Sequence, residues 1–580
     1  MTDKKQVRDD SFELLLEEKV GGLGGWQILY FSIFAILTFF HSMTNMFNIF
    51  FAAPREHHCQ IAELEQQPWF SNSMYFSDKQ WALRNISYPL IEDGEYSSCE
   101  MYDLNYSMIT IDHEFPGNLT VDILECTEWV FDKTHMHTTI QSDFGLVCDQ
   151  SVDLAHSESL YMAGAFVGSV IAGPISDNIG RKVTFIGAGL ITTASSLALS
   201  QAPNYRVFLA MRFFLGLANV ASWLSGSVLT QEITTSKYRS WLGILHFLPY
   251  GIGITTFAGI AYAIKDWRTI IFTVAIPLLL YIPSFWLLSE SPRWLLVKTK
   301  VRRAKSVLDR ATKMNKKPKI PEKILEKLAH IVRQESIETE TERVQIWHLF
   351  GYPIHICRQL NVAYNWAVNS IVYYGLLWSI SSFNGNLFIN VAISCAVEIP
   401  SYLACVPLLM MGRMWSLSLL LTVTGISCFA VSAIPVALTH ARLFCFLLGR
   451  FCMTASFAIV YIFTSELFPT GIRTTVMAIC SVVARLAGLL VPYIIAIPKT
   501  VTDHSLDSAP MIIFGSLGLS AGLLTLLMPE TRGRPMPQYL GDGLTHKSFY
   551  ERTVLDRCHC CKHGTPNNVT FTEKGTIIKL

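Results

Sequence analysis

Apolar runs of about 20 residues, the length that crosses a bilayer core, succeed one another along most of the chain. Twelve can be counted, at 26–53, 155–175, 183–202, 207–229, 240–264, 269–288, 360–382, 386–410, 415–437, 443–464, 474–497 and 510–528. Two long polar stretches interrupt the series, 54–153 after the first run and 289–356 after the sixth, and polar ends of 1–25 and 529–580 flank it. The pattern predicts an all-α membrane protein of twelve spanning helices, with helices 2–6 in 155–288 and helices 7–12 in 357–528. The first 25 residues are polar and the run that follows is too long for a signal-peptide core, so helix 1 is expected to serve as its own insertion signal.

Composition agrees. Hydrophobic residues make up 51% of the 580 and charged residues 16%, and the mean hydropathy is +0.34. A chain this poor in charge places much of its surface in lipid.

Charge then orients it. Residues 54–153 hold 4 Lys/Arg against 18 Asp/Glu, whereas 298–343 hold 14 against 7. Lys and Arg favour cytoplasmic loops, so the first segment is expected outside and the second inside. The acidic segment also carries glycosylation sequons at Asn85, Asn105 and Asn118, and four cysteines, Cys59, Cys99, Cys126 and Cys148. An even number of cysteines there suits two disulfides, with the pairing open. Six helices on each side of the basic loop put both termini in the cytosol, in a protein expected at the plasma membrane.

The two halves repeat. Gly180-Arg181 recurs as Gly412-Arg413, Arg212-Phe213 as Arg450-Phe451, Glu232…Arg239 as Glu466…Arg473, and Glu290 as Glu530, at offsets of 232 to 240 residues. Four ordered pairs at a nearly constant offset argue for duplication. Because each copy has six helices, the copies are related by an axis along the membrane normal. In such parallel repeats the binding site lies between the halves near mid-membrane.

Charged motifs mark the helix ends. Gly173-Pro-Ile-Ser-Asp177-Asn-Ile-Gly180-Arg181 joins helices 2 and 3, Ser289-Glu290-Ser-Pro-Arg293 closes helix 6, and Pro529-Glu530-Thr-Arg532-Gly533 closes helix 12. Asp177, Arg181, Glu232, Arg239, Glu290, Arg293, Glu466, Arg473 and Glu530 form a candidate cytoplasmic gate, against the plainer reading of ordinary charged helix termini. Glu232 with Arg239, and Glu466 with Arg473, are read as gate salt bridges.

On these motifs the chain resembles the organic cation/anion/carnitine transporter family (solute carrier family 22) of the major facilitators. Further marks are Ala53-Pro54-Arg55-Glu56-His57-His58-Cys59 opening the large segment, Trp129-Val-Phe-Asp132 and Phe144-Gly-Leu-Val-Cys148 closing it, Asp266-Trp267-Arg268, Tyr373-Tyr374-Gly-Leu376, and Glu466-Leu-Phe-Pro-Thr470-Gly-Ile-Arg473. The resemblance implies the major facilitator fold, alternating access, and a small charged organic substrate. It departs from the family at Met410-Met-Gly412-Arg413, where an aspartate often precedes the glycine.

Polar residues within the spans are costly and therefore candidate site residues. Helix 7 carries Asn361, Asn365, Asn369 and Tyr373, and helix 8 carries Asn390, Ser394, Glu398 and Tyr402, each set at four-residue spacing and so on one helix face. Helix 11 adds Ser481 and Arg485, helix 1 offers His41, Asn45 and Asn48, and Tyr374 and Trp378 add aromatic faces able to attract an ammonium group. At 1.5 Å rise per residue, Glu398 and Arg485 fall about 16–18 Å deep in a core of about 30 Å.

Two readings compete for Glu398 and Arg485: a structural salt bridge with each other, or two cavity-facing groups that bind opposite ends of a ligand. The asparagine stripes, long and accompanied by Tyr373, Tyr374 and Trp378, are read as cavity lining, with a packing alternative, hydrogen bonding between helices. Arg212 and Arg450 are read first as inter-helix anchors. The resemblance implies that Arg at position 485 belongs to anion and carnitine-type carriers and that Ala396-Val-Glu398-Ile-Pro400 belongs to cation and carnitine-type carriers. The two together imply a zwitterion such as a carnitine-like betaine or a β-amino acid, with a plain organic cation or anion as the alternative and a non-transporting receptor or adhesion protein further off.

No Walker-type phosphate loop occurs, so ATP is not expected to drive transport directly. No nucleophile–base constellation or metal set marks an enzyme, no nucleic-acid partner is expected, and no cofactor is expected beyond a coupling ion, Na+ or H+. Lipid is the expected surrounding partner. Asp10-Ser-Phe-Glu-Leu14-Leu15 has acidic-dileucine spacing, and Cys558, Cys560 and Cys561 form a tail cluster that fits no standard zinc spacing.

Overall fold

The computed structural model describes residues 12–52, 55–62, 87–89, 96–104, 106, 122–235, 238, 242, 245–341, 353–383, 385–435, 437–468, 470–500 and 508–532. The sequons at Asn85, Asn105 and Asn118, Arg239, Asp10 and the tail cysteines lie outside these residues.

Among the described residues ten helices are long and apolar enough to cross a membrane: α1 (Gly25–Phe51), α2 (Cys148–Ile179), α3 (Arg181–Ser200), α4 (Tyr205–Glu232), α5 (Phe247–Ile264), α6 (Trp267–Leu287), α8 (Leu387–Met411), α9 (Arg413–Ala433), α10 (Thr439–Leu467) and α11 (Thr475–Pro498). Two more complete the predicted twelve. Pro353–Ser379 (α7) is long enough but carries the asparagine stripe, and Ala509–Thr525 (α12) is apolar but shorter. Within α8 the helix breaks at Val397, between Leu387–Ala396 and Glu398–Met411. Pro400 explains the break, since it has no N–H for the Ala396 carbonyl.

Within each half the helices pack in matching order. The α2–α4 contact of the first half recurs as α8–α10 in the second, and α3–α4 recurs as α9–α10. Between the halves the contacts are α2 with α11 and α5 with α8. A shift of six helices turns one of these contacts into the other, as the two-fold relation expected from the duplication requires.

Close approach makes the α2–α4 contact. A Cβ on Gly164 would meet the Phe213 carbonyl at 2.0 Å, and one on Gly216 would meet the Tyr161 carbonyl at 2.0 Å. In the second half Ser401 occupies the place of Gly164, and its hydroxyl donates to the Phe451 carbonyl at 2.7 Å. Small residues thus hold both helix pairs together.

The segment after α1 is tied to the end of the first half. Disulfides join Cys59 to Cys126 and Cys99 to Cys148, settling the pairing left open by the sequence. Strands β1 (His57–Cys59), β2 (Glu100–Tyr102), β3 (Ile123–Glu125) and β4 (Trp129–Phe131) form two antiparallel pairs, β1 with β4 and β2 with β3. The segment reaches the α5–α6 turn, where Asp143 accepts from Trp267 Nε1 at 3.0 Å and from Arg268 Nε at 3.1 Å. Thr138 also hydrogen-bonds Asp266, and the His137 amide donates to the Lys265 carbonyl at 2.8 Å. The Asp266-Trp267-Arg268 motif is the anchor of this segment.

At the opposite, loop end of the first half, helices Pro292–Val297, Val301–Met314 and Glu322–Thr341 cover a second apolar cluster. Phe12, Leu15, Leu16 and Val20 from the N-terminal segment bury into it. Asn315 clasps α1 to this layer: its Oδ1 accepts from the Trp26 amide at 2.9 Å and its Nδ2 donates to the Val20 carbonyl at 2.8 Å.

Gly180 and Gly412 turn the chain between α2 and α3 and between α8 and α9, at φ of 126° and 135°. A side chain is strained at such angles, and its Cβ would meet the Glu290 carboxylate at 2.3 Å or that of Glu530 at 2.7 Å. Gly180→Ala and Gly412→Ala are each expected to cost about 1–3 kcal/mol. The measurement is the thermal unfolding midpoint in detergent, which should fall while helical content before the transition is unchanged.

Candidate functional site

Two layers of charge occupy the fold. The outer one closes the loop ends of the two halves in duplicate. Glu290 Oε1 accepts from the amides of Arg181 and Lys182 at 2.8 and 3.0 Å, capping the start of α3. Glu530 does the same for Arg413 and Met414 at 2.8 and 3.1 Å. Carboxylates at helix N-termini satisfy otherwise unpaired N–H groups and favour the dipole. The arginine side chains then reach the next helix, Arg181 to Glu232 at 3.2 Å and Arg413 to Glu466 at 3.0 Å.

Glu466 is also bonded to the Thr531 hydroxyl, and Arg473 lies within its electrostatic reach. For Glu232 the expected partner Arg239 lies outside the described residues, and the carboxylate is bonded to Arg181. Arg293 is exposed and enters no ion pair among the described residues. The departure at 410–413 has a visible effect. Arg181 also pairs with Asp177 at 2.7 Å, whereas at the matching place Arg413 meets the backbone carbonyl of Leu409, at 3.1 Å. The second clasp therefore lacks one ionic contact of the first.

The inner layer lies between the halves. Glu398 does not pair with Arg485. It pairs with Arg450 of α10, both being 0% exposed, and Glu398 Oε1 also accepts from the Tyr373 hydroxyl at 2.8 Å, with Tyr402 alongside. Arg450 in turn donates to the Tyr373 carbonyl at 2.9 Å and lies 4.2 Å from that ring's centre. Ion pairing satisfies both charges within the half, so the Glu398–Arg485 bridge is replaced by an α8–α10 bridge.

The first half holds the equivalent pair, which sequence reasoning missed. Glu158 of α2 pairs with Arg212 of α4, each 1% exposed, and Arg212 lies 4.9 Å from the Tyr161 ring centre. Glu158 precedes Glu398 by 240 residues and Arg212 precedes Arg450 by 238, within the offset of the duplication. That offset was the available signal: projecting Glu398 back onto helix 2 lands on Glu158.

Arg485 has no such partner. It is half-buried, enters no ion pair among the described residues, and its Nε lacks a hydrogen-bond acceptor. Three tyrosines lie within its electrostatic reach, Tyr161 of α2, Tyr374 of α7 and Tyr461 of α10. Tyr374 stacks on Trp378 with ring centres 5.4 Å apart. Ser481 is half-buried one turn before Arg485 on α11.

The asparagine stripe is engaged in packing, contrary to the expected cavity lining. Asn365 accepts from Thr525 of α12 at 2.9 Å, and Asn369 accepts from Ser456 of α10 at 2.6 Å. Asn390 and Ser394 are buried on α8. Asn45 of α1 bonds the Tyr161 hydroxyl and lies 3.5 Å from that of Tyr250. The structure thus gathers Arg485, Tyr374, Trp378, Asn45 and Tyr161 about the meeting of the halves, and leaves Asn365 and Asn369 to helix contacts.

The fold is that of the major facilitators. A partially occluded inward-open form of the xylose transporter XylE from E. coli superposes with a TM-score of 0.56 at 13% identity, over 87% of this chain and 99% of that one. Residues 125–539 match the family described as sugar (and other) transporter, and an organic cation transporter protein of Drosophila melanogaster is 32% identical over 88% of this chain and 90% of its own length. A β-alanine transporter of the same organism is 29% identical over 98% and 94%. The chain belongs to the sugar (and other) transporter family, within its solute carrier 22 branch, and is a multi-pass membrane transporter rather than an enzyme.

Removing one member of a buried ion pair leaves the other charge uncompensated, at a cost of about 3–5 kcal/mol. Arg450→Gln should lower the thermal midpoint in detergent sharply, and the double variant Glu398→Gln/Arg450→Gln should recover most of the loss. A double variant as unstable as the single one would show that Arg450 acts through packing alone.

Proposed function

We propose that the protein carries a small zwitterionic organic amine, of the carnitine-like betaine or β-amino acid class, across the plasma membrane by alternating access, with both termini and the loop-end clasps on the cytoplasmic side. One observation carries the reading: Arg485 is a half-buried cation at the meeting of the halves with no carboxylate partner among the described residues. Every other charge described in that layer is paired. An unneutralised cation in a low-dielectric site favours an anionic ligand group. The tyrosines and Trp378 around it supply faces that attract an ammonium group. The two Drosophila relatives, named for organic cations and for β-alanine, are consistent with amine-bearing cargo.

In this reading the α2–α11 and α5–α8 contacts are the surfaces on which the halves rock, and the duplicated clasps hold the cytoplasmic ends closed while the site faces outward. Transport is driven by the solute's own gradient or by coupling to Na+ or H+.

The test is uptake of radiolabelled β-alanine and a carnitine-like betaine into proteoliposomes with wild-type protein and Arg485→Ala. Loss of a charge-assisted contact of about 1.5–3 kcal/mol should weaken zwitterion uptake by about tenfold or more. Unchanged zwitterion uptake by Arg485→Ala would remove the carboxylate role.

A further inference from the structure

The zwitterion reading leaves open which carboxylate meets the ligand's cationic end. Glu398 is the acidic residue that stands out in the sequence. Its Oε1 takes Arg450 and the Tyr373 hydroxyl, Tyr402 lies beside it, and its Oε2 has no hydrogen-bond donor among the described residues. Glu158 is its counterpart in the first half: its Oε2 takes Arg212, and its Oε1 has no hydrogen-bond donor among the described residues although the side chain is 1% exposed. A buried carboxylate oxygen without a donor is costly, and a site that leaves one open is prepared for a cation or a proton donor.

Position distinguishes the two and favours Glu158. It lies on α2, the first-half helix that packs against α11, which carries Arg485. The contact is close: the Ser159 hydroxyl donates to the Leu489 carbonyl at 3.2 Å, and a Cβ on Gly488 would lie 3.7 Å from the Met162 sulfur. Tyr161, one turn from Glu158, lies within electrostatic reach of both Glu158 and Arg485, and so does Tyr374 across the interface. Glu158 and Arg485 are therefore opposite charges facing the same two tyrosines from different halves.

We propose that Glu158, acting through its open Oε1, receives the ammonium group of the substrate and so sets specificity for amine-bearing cargo, while Arg485 receives the carboxylate. Resting on the zwitterion reading, this makes the ligand a bridge from α2 to α11. A solute lacking either charge grips only one half. Glu398–Arg450 is then the structural twin of the site, on the helix that packs against α5 instead of α11.

Three probes of matched size separate the roles: β-alanine, propionate, which lacks the amine, and ethylamine, which lacks the carboxylate. Binding to purified protein is read as ligand-induced change in thermal midpoint, and transport as uptake into proteoliposomes. Glu158→Gln should lose about tenfold or more in affinity for β-alanine and ethylamine while sparing propionate. Arg485→Ala should lose β-alanine and propionate while sparing ethylamine.

Because Glu158→Gln strands Arg212, the double variant Glu158→Gln/Arg212→Gln is measured in parallel. Under the proposal it regains thermal stability and remains deficient for both amines. Full recovery of amine binding in the double variant would overturn the proposal, leaving Glu158 only the neutralisation of Arg212. Glu158→Gln with wild-type affinity for ethylamine and β-alanine would overturn it too, whether or not Arg485→Ala behaves as expected. Wild-type protein that binds none of the three probes, or an Arg485→Ala variant that still binds propionate normally, would sink the zwitterion reading itself.

Discussion

Charge buried at mid-membrane has to be compensated, and this requirement organises the fold. Glu158 with Arg212 and Glu398 with Arg450 each tie two helices of one half together where water is absent. Separating either pair would expose a bare ion to a low-dielectric interior, so each half is expected to move as a body. The small residues at the α2–α4 and α8–α10 contacts serve the same end, since only close backbones let an arginine of one helix reach a glutamate of the other. Two stiff units meeting along α2–α11 and α5–α8 are the material from which alternating access is built.

Against that symmetric background the exceptions carry the chemistry. Position 485 holds an arginine, while 235 residues earlier the chain has Tyr250 on α5. One half thus contributes a cation with no ion pair among the described residues and the other an aromatic hydroxyl at the corresponding surface. The loop-end clasps differ more modestly, by the replacement of an Asp177-type carboxylate with the backbone carbonyl of Leu409.

Much of the architecture was legible beforehand because lipid imposes simple rules on sequence. Run length placed the twelve helices, and repeated motifs revealed the duplication. Pairing was harder. The four-residue spacing on α7 and α8 correctly described a polar face, but spacing does not say what that face meets, and Asn365 and Asn369 meet α12 and α10. The depth estimate brought Glu398 and Arg485 level with each other, yet depth leaves the angle around the bundle undetermined, and Arg450 stood nearer. Glu158 escaped notice because its neighbours Ser157 and Ser159 make it resemble a helix start, near the acidic segment. The disulfide pairing could not be read at all, since four cysteines allow three connectivities.

The anchorage of the inserted segment has a mechanical consequence. Asp143, Thr138 and His137 fasten it to Arg268, Asp266 and Lys265, all at the turn between two helices of the first half. A body fastened to one of two rocking parts is a lever arm on that part. An antibody fragment bound to the segment would therefore track the tilt of the first half, and tethering it to the second would act as a brake on the cycle without touching the substrate.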